Sequence, residues 1–256
     1  MKYKSFYHLH NPKTGGRFLM NNVLTFLYPV MHMQRIKVIN EVPLGNETTH
    51  SGWHRDIDDD TYVLSTFREP FSHVLSLYFY MCVAQKEPQY FPDRLKYIES
   101  ELDKEKFLNK LFVSPYYGYI LSNHQIKNFL YNHGVINGKF DPYLDPELRI
   151  EDVLEKAKRV NFMMRMDELP QNPLLIAEKI INDMELDITI EEVAEKYRIR
   201  KPYLDQVNPL TITPQTQQFA NDFTLEERNM LWTRIRGDYH IYSMDSLYHK
   251  FNEENK

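Results

Sequence analysis

The sequence predicts an α/β protein in three layers, a central and mostly parallel sheet flanked by helices. Three observations lead there. Between residues 6 and 83 an apolar run, a turn-rich loop and a helix-period stretch follow one another twice, and strands separated by helices favour a parallel sheet. Lys13 and Arg68 stand where two of the apolar runs end, the place where such sheets hold ligands. The 256 residues, 42% hydrophobic and 14% aromatic, supply one ample core, so a single domain over 1–256 is expected.

Taken in order, Phe6 to His10 reads as a short buried strand that stops at the turn formers Asn11-Pro12-Lys13-Thr14-Gly15-Gly16. Phe18, Leu19, Val23, Leu24 and Leu27 then recur near helical spacing, and Pro29 is expected to end that helix. Residues 30–40 suggest another strand region, and the polar stretch from Asn46 to Asp60, which carries His50, Trp53 and His54, suggests a loop. Tyr62 to Phe67 is a β-rich run ending at Arg68, and Pro70 is placed to begin a helix through Val83. Further helices are expected at 104–112, 118–132, 150–159, 169–184, 190–197 and 224–236, with a last one from 239. Val160 to Met166 reads as an additional strand, and Lys201 to Pro214, rich in Pro, Asn and Thr, as irregular.

The net charge of -5 argues against a general nucleic-acid binder, which needs a basic surface to displace condensed counterions, so any anion site must be local. Cys82 is the sole cysteine, which rules out an intrachain disulfide and suits a reducing compartment. No apolar signal core and no run of about 18 to 20 apolar residues is present. A cytoplasmic protein without a membrane partner is therefore expected.

Asn11-Pro12-Lys13-Thr14-Gly15-Gly16, lying between a strand and a helix, has the ingredients of a phosphate cradle. Glycines let the backbone turn sharply, free N–H groups at a helix start face an anion, and Lys13 adds a mobile charge. The order differs from the nucleoside-triphosphate loop, in which the lysine follows the glycines. By itself this loop is equally a strand-to-helix turn with a solvated lysine. Arg68 at a strand end can hold a phosphate through two parallel hydrogen bonds, and Ser76 in the next helix can add a hydroxyl. The plainer reading makes Arg68 the ion-pair partner of a nearby acid and Ser76 a helix-surface residue.

Together, His10-Asn11-Pro12-Lys13-Thr14-Gly15-Gly16 and Phe67-Arg68-Glu69-Pro70 through Ser76-Leu77-Tyr78 resemble the 5′-phosphosulfate loop and the 3′-phosphate motif of the sulfotransferases that use 3′-phosphoadenosine 5′-phosphosulfate (PAPS). The likeness is to the carbohydrate branch, with the heparan-sulfate 2-O- and 6-O-sulfotransferases and short microbial relatives. His50-Ser51-Gly52-Trp53, the segment Asn123 to Leu130 and the stretch Leu225 to Tyr242 are similar to further segments of that family. The resemblance implies a P-loop-like version of the three-layer fold, PAPS as donor with its 3′,5′-bisphosphate (PAP) as product, and a carbohydrate hydroxyl as acceptor. Two departures stand out. Arg17 and Phe18 replace the small hydroxyl residues that usually follow the glycines, and Arg165 stands where relatives often carry glutamate.

The expected reaction needs an acceptor oxygen in line with the leaving oxygen, a base, and positive charge on the leaving group. His50 is the expected base, with His54 the competitor and Trp53 the neighbour that selects His50. Lys13 would stabilise the leaving oxygen. The Thr14 hydroxyl and the N–H groups from Thr14 through Gly15, Gly16 and Arg17 to Phe18 would hold the 5′-phosphate, while Arg68 and Ser76 would hold the 3′-phosphate. Of Asn123 and Gln125, two apart on a helix and so on different faces, one is expected to be structural. The tyrosines at 116, 117 and 119 are read as packing. His124 and His133 make no convincing metal group, the acidic run Asp56 to Asp60 is read as a solvated loop, and the reaction requires no metal. Two alternatives remain: an inactive nucleotide- or anionic-glycan-binding protein on the same fold, and a P-loop kinase, for which a Walker lysine and an acidic Mg²⁺ ligand are missing.

Overall fold

Strand β1 (Ser5–Leu9) and strand β3 (Thr61–Phe67) are buried at every position, which is what a parallel sheet covered on both faces demands of its central strands. The computed structural model describes residues 2–11, 14–39, 53, 56–84, 103–131, 150–166, 169–170, 172–207 and 218–244. With β2 (Lys37–Ile39) and β4 (Phe162–Arg165) these strands form one all-parallel sheet in the order β2-β1-β3-β4. The register places Phe6 beside Tyr62 and Leu64 beside Phe162.

Side chains alternate across the sheet and so divide its two faces. Phe6, Tyr62, Leu64, Phe162 and Met164 meet one helical layer. That layer consists of α1 (Gly16–Leu19), a π-helical turn (Met20–Leu24), α2 (Thr25–Met33), α8 (Leu174–Met184) and α9 (Ile190–Val207). Tyr7, Leu9, Val63, Phe67 and Met163 face the opposite layer, through Ile126 and Phe129 of α6 (His124–Tyr131), Val153 and Ala157 of α7 (Ile150–Ala157), and Ile241 of α10 (Leu225–Tyr242). A third cluster joins α3 (Pro70–Ala84), α4 (Lys104–Phe112) and α5 (Pro115–Leu121) to Phe219, Phe223 and the middle of α10. The expected three-layer α/β architecture is the one the chain adopts. Among the described residues no helix is long and apolar enough to cross a membrane.

Several boundaries differ from the sequence expectation, each for a physical reason. Pro29 sits inside α2, because Leu27, Val30 and Met31 are buried against the sheet and that burial outweighs one missing bond to the Thr25 carbonyl. The strand expected in 30–40 is therefore only Lys37–Ile39, after Arg35 reverses the chain at φ 60°. The helix expected over 118–132 breaks at Asn123, φ 45°, whose N–H donates to the Arg234 carbonyl and whose Oδ1 accepts from Gly237 N–H. Residues 225–242 form one helix and not two. Gly237 continues it because a Cβ there would lie 2.8 Å from Asn123 Oδ1, so the glycine serves a close approach between helices. Helix α9 runs through Pro202 to Val207, over the first half of the stretch from Lys201 to Pro214 expected to be irregular, and residues 208–214 lie outside the described residues, while Arg200 donates to Thr25 Oγ1.

Candidate functional site

The strand order reverses between β1 and β3, since β2 lies on the far side of β1 while the chain next continues on the other side, at β3. Ligands of open α/β sheets bind in the crevice beyond the carboxyl ends at such a point. The loop after β1 and Arg68 after β3 flank it, and the two strands are hydrogen-bonded neighbours.

The loop is drawn inward by its own side chains. Thr14 is fully buried; its hydroxyl donates to the Asn11 carbonyl (2.8 Å) and lies 3.0 Å from Thr66 Oγ1. With its one proton given to Asn11, Thr14 accepts from Thr66, so its hydroxyl is committed to the interior. The contact that Thr14 can offer an anion is its N–H. Gly15 has φ +87°, a left-handed conformation that favours glycine, and a Cβ at Gly16 would come within 1.9 Å of His10 Nε2. The imidazole of His10, stacked on His8 at 5.3 Å, therefore fills the space that any larger residue at 16 would need. Burial pushes the His8 imidazole down from 6.5 to about 4, so that ring is neutral near physiological pH. Phe18, partly buried, packs on the apolar cluster around Phe6 and so has a role in the core. Lys13, His50 and His54 lie outside the described residues, as does the side chain of Arg17.

Arg68 is 7% exposed and its Nε donates to Ser72 Oγ (2.9 Å). Ser76, 4% exposed, follows Ser72 by four residues and shares its face of α3. Ser72 escaped the sequence reading, although the same i, i+4 spacing that marks Ser76 would have found it. Glu69 turns its carboxylate to the start of α3, accepting from Phe71 N–H (3.0 Å) and Ser72 N–H (2.6 Å). It also accepts from the Tyr239 hydroxyl. Burial, reinforced by that carboxylate, holds the Tyr239 phenol well above its ordinary pKa, so it remains a donor. A cleft of about 300 Å³ adjoins this corner, bordered by Glu69, Phe71, Arg228, Trp232 and Tyr239. Trp232 is 47% exposed there, its ring 4.6 Å from that of Tyr239.

Both Asn123 and Gln125 bond to other parts of the chain, half-buried Asn123 to the α10 backbone and Gln125 to Arg68. Gln125 is fully buried; its Oε1 accepts from Arg68 N–H (2.9 Å) and its Nε2 donates to the Arg68 carbonyl (2.8 Å). Asn128 donates to Asn11 Oδ1 (2.8 Å), and Asn11 in turn donates to the Thr66 carbonyl (3.1 Å). Asp238 on α10 accepts from Gln125 N–H (3.3 Å) and Ile126 N–H (2.9 Å), capping α6. Burial is the main cause that raises its carboxyl to about 7. Arg165 donates to the Tyr242 and Met244 carbonyls (2.8 and 3.0 Å) with its guanidinium over the Tyr242 ring, closing the end of α10. Trp53 donates its N–H to the Phe129 carbonyl and stands beside Arg159 and Lys156 on the sheet face opposite α1.

The chain thus brings Thr14, Gly15, Gly16 and Arg68 just beyond the carboxyl ends of two adjacent strands, with Ser76 buried in the helix that follows Arg68, and Gln125 and Asn128 bonded to Arg68 and Asn11. No family model, curated protein or solved structure matches this chain.

Proposed function

We propose that this protein is a sulfotransferase that moves a sulfuryl group from PAPS to an acceptor hydroxyl, on a carbohydrate. The observation that carries the reading is the meeting of the 11–16 loop and Arg68 at the strand-order reversal, on strands that are direct neighbours. A nucleotide phosphorylated at both C5′ and C3′ has the two anionic groups that such a pair of elements can take. Backbone N–H groups of Thr14 to Phe18 hold the 5′-phosphate, and Arg68 and Ser76 hold the 3′-phosphate. Lys13 stabilises the phosphate oxygen that departs as its bond to sulfur breaks, while His50 takes the proton of the hydroxyl whose oxygen forms the new bond. The half-exposed Trp232 ring in the cleft beside Glu69 offers a stacking partner for a ring of either substrate.

A second reading, nucleotide binding without turnover, is favoured by the inward commitment of the Thr14 hydroxyl. Transfer of label from [³⁵S]PAPS to an acceptor panel separates the two. The donor itself is tested by thermal shift. PAP should raise Tm well above the effect of AMP, and Arg68→Ala should remove that difference. Equal stabilisation of the native chain by both nucleotides would defeat the assignment.

A further inference from the structure

Two buried amides on one face of α6 each grip a different phosphate-binding element. Gln125 and Asn128 are three residues apart, hence neighbours on the helix surface, and are 0% and 1% exposed. We propose that they are positioning residues with separate duties: Gln125 orients Arg68 for a 3′-phosphate, and Asn128, through Asn11, orients the 11–16 loop for a 5′-phosphate. This inference rests on the donor reading above.

The geometry is specific. Gln125 makes two bonds of opposite sense to the same residue, accepting from Arg68 N–H and donating to the Arg68 carbonyl. Such a pairing fixes the peptide planes on both sides of the Arg68 Cα, and with them the point from which the guanidinium departs. Its reach is then set by the second bond, from Nε to Ser72 Oγ. Asn128 begins the other chain of contacts. It donates to Asn11 Oδ1, Asn11 donates to the Thr66 carbonyl, and the Asn11 carbonyl accepts the Thr14 hydroxyl that closes the loop. The helix that carries both amides is anchored at its first turn by Asp238 of α10. Apolar residues of similar size would take these bonds away from the Arg68 N–H and carbonyl and from Asn11 Oδ1, so the amides both satisfy buried polar groups and fix where those groups stand. Productive contacts to a phosphate require their donors to be held within about half an ångström, which such fixed backbone supplies.

The test compares three ligands, 5′-AMP, 3′-AMP and PAP, by isothermal titration on the full chain. Gln125→Met should weaken 3′-AMP and PAP on the order of tenfold, the scale of a lost hydrogen bond, and leave 5′-AMP unchanged. Asn128→Leu should weaken 5′-AMP and PAP and spare 3′-AMP. Gln125→Glu keeps the acceptor for Arg68 N–H and should lose less than Gln125→Met; it carries the same comparison if the methionine variant fails to fold. Loss of affinity for all three ligands alike, or for none, would overturn the separate duties and leave the donor reading intact. A native chain that binds PAP no more tightly than either monophosphate would sink the donor reading, and the positioning roles with it.

Discussion

Replacing Asp238 with Asn probes a carboxyl that is fully buried yet caps α6. Burial raises its pKa from the ordinary 3.8 to about 7, with the bonds from Ile126 and Gln125 N–H opposing that rise. The folded chain therefore holds this proton more tightly than the unfolded one. Its contribution to stability is complete below 3.8 and is lost as pH rises through 7. A shift of this size corresponds to about 4 kcal/mol in full, of which about 3 kcal/mol falls between roughly pH 5 and pH 8. Asparagine cannot ionise and keeps one acceptor oxygen for the Ile126 N–H, but its amide nitrogen cannot accept from the Gln125 N–H, a loss that is the same at every pH. Urea unfolding of both proteins across this range should show Asp238→Asn gaining about 3 kcal/mol relative to the native chain as pH rises. The difference between the two proteins is the readout, because other groups shape each curve. A difference that stays flat with pH, or that grows in favour of the native chain, would refute the burial argument.

His8 acts in the opposite sense. Its depressed pKa, about 4 against 6.5, means that its contribution is present above 6.5 and lost as pH falls through 4. Relative to His8→Leu the native chain should lose about 3 kcal/mol once both values are passed, and a pH-independent difference in unfolding free energy would disprove it. Gly16→Ala should cost about 1 to 3 kcal/mol through overlap with the His10 ring, whose Nε2 would lie 1.9 Å from the new Cβ. Adding His10→Ala should recover part of that loss in a double-mutant cycle; strictly additive effects would place the strain elsewhere.

The two central strands and the points where they end were legible because their signals are local. Phe6 to Leu9 and Tyr62 to Phe67 are short runs of mostly apolar, aromatic and β-branched residues, and turn formers or a charged residue follow each one. Pro70 opened its helix where a proline lacking an N–H is harmless. Proline and glycine misled where burial or helix contact overrode them: Pro29 stays helical because Val30 and Met31 are in the core, and Gly237 stays helical because Asn123 presses on it. Ser72 was readable from spacing alone. Gln125 was visible as a residue but not as a clamp, since its partner Arg68 lies 57 positions away.

By itself the sequence determined the α/β class, the parallel pairing and the two segments that end at the carboxyl edge of the sheet, because apolar period and turn chemistry act over a few residues. Tertiary structure alone decided that β1 and β3 are neighbours at the reversal, that the Thr14 hydroxyl faces inward, and that Asn128 reaches Asn11 across 117 positions. Those outcomes depend on which face each helix turns to the sheet. That choice is made by the whole buried surface and by the need to satisfy every polar group enclosed in it.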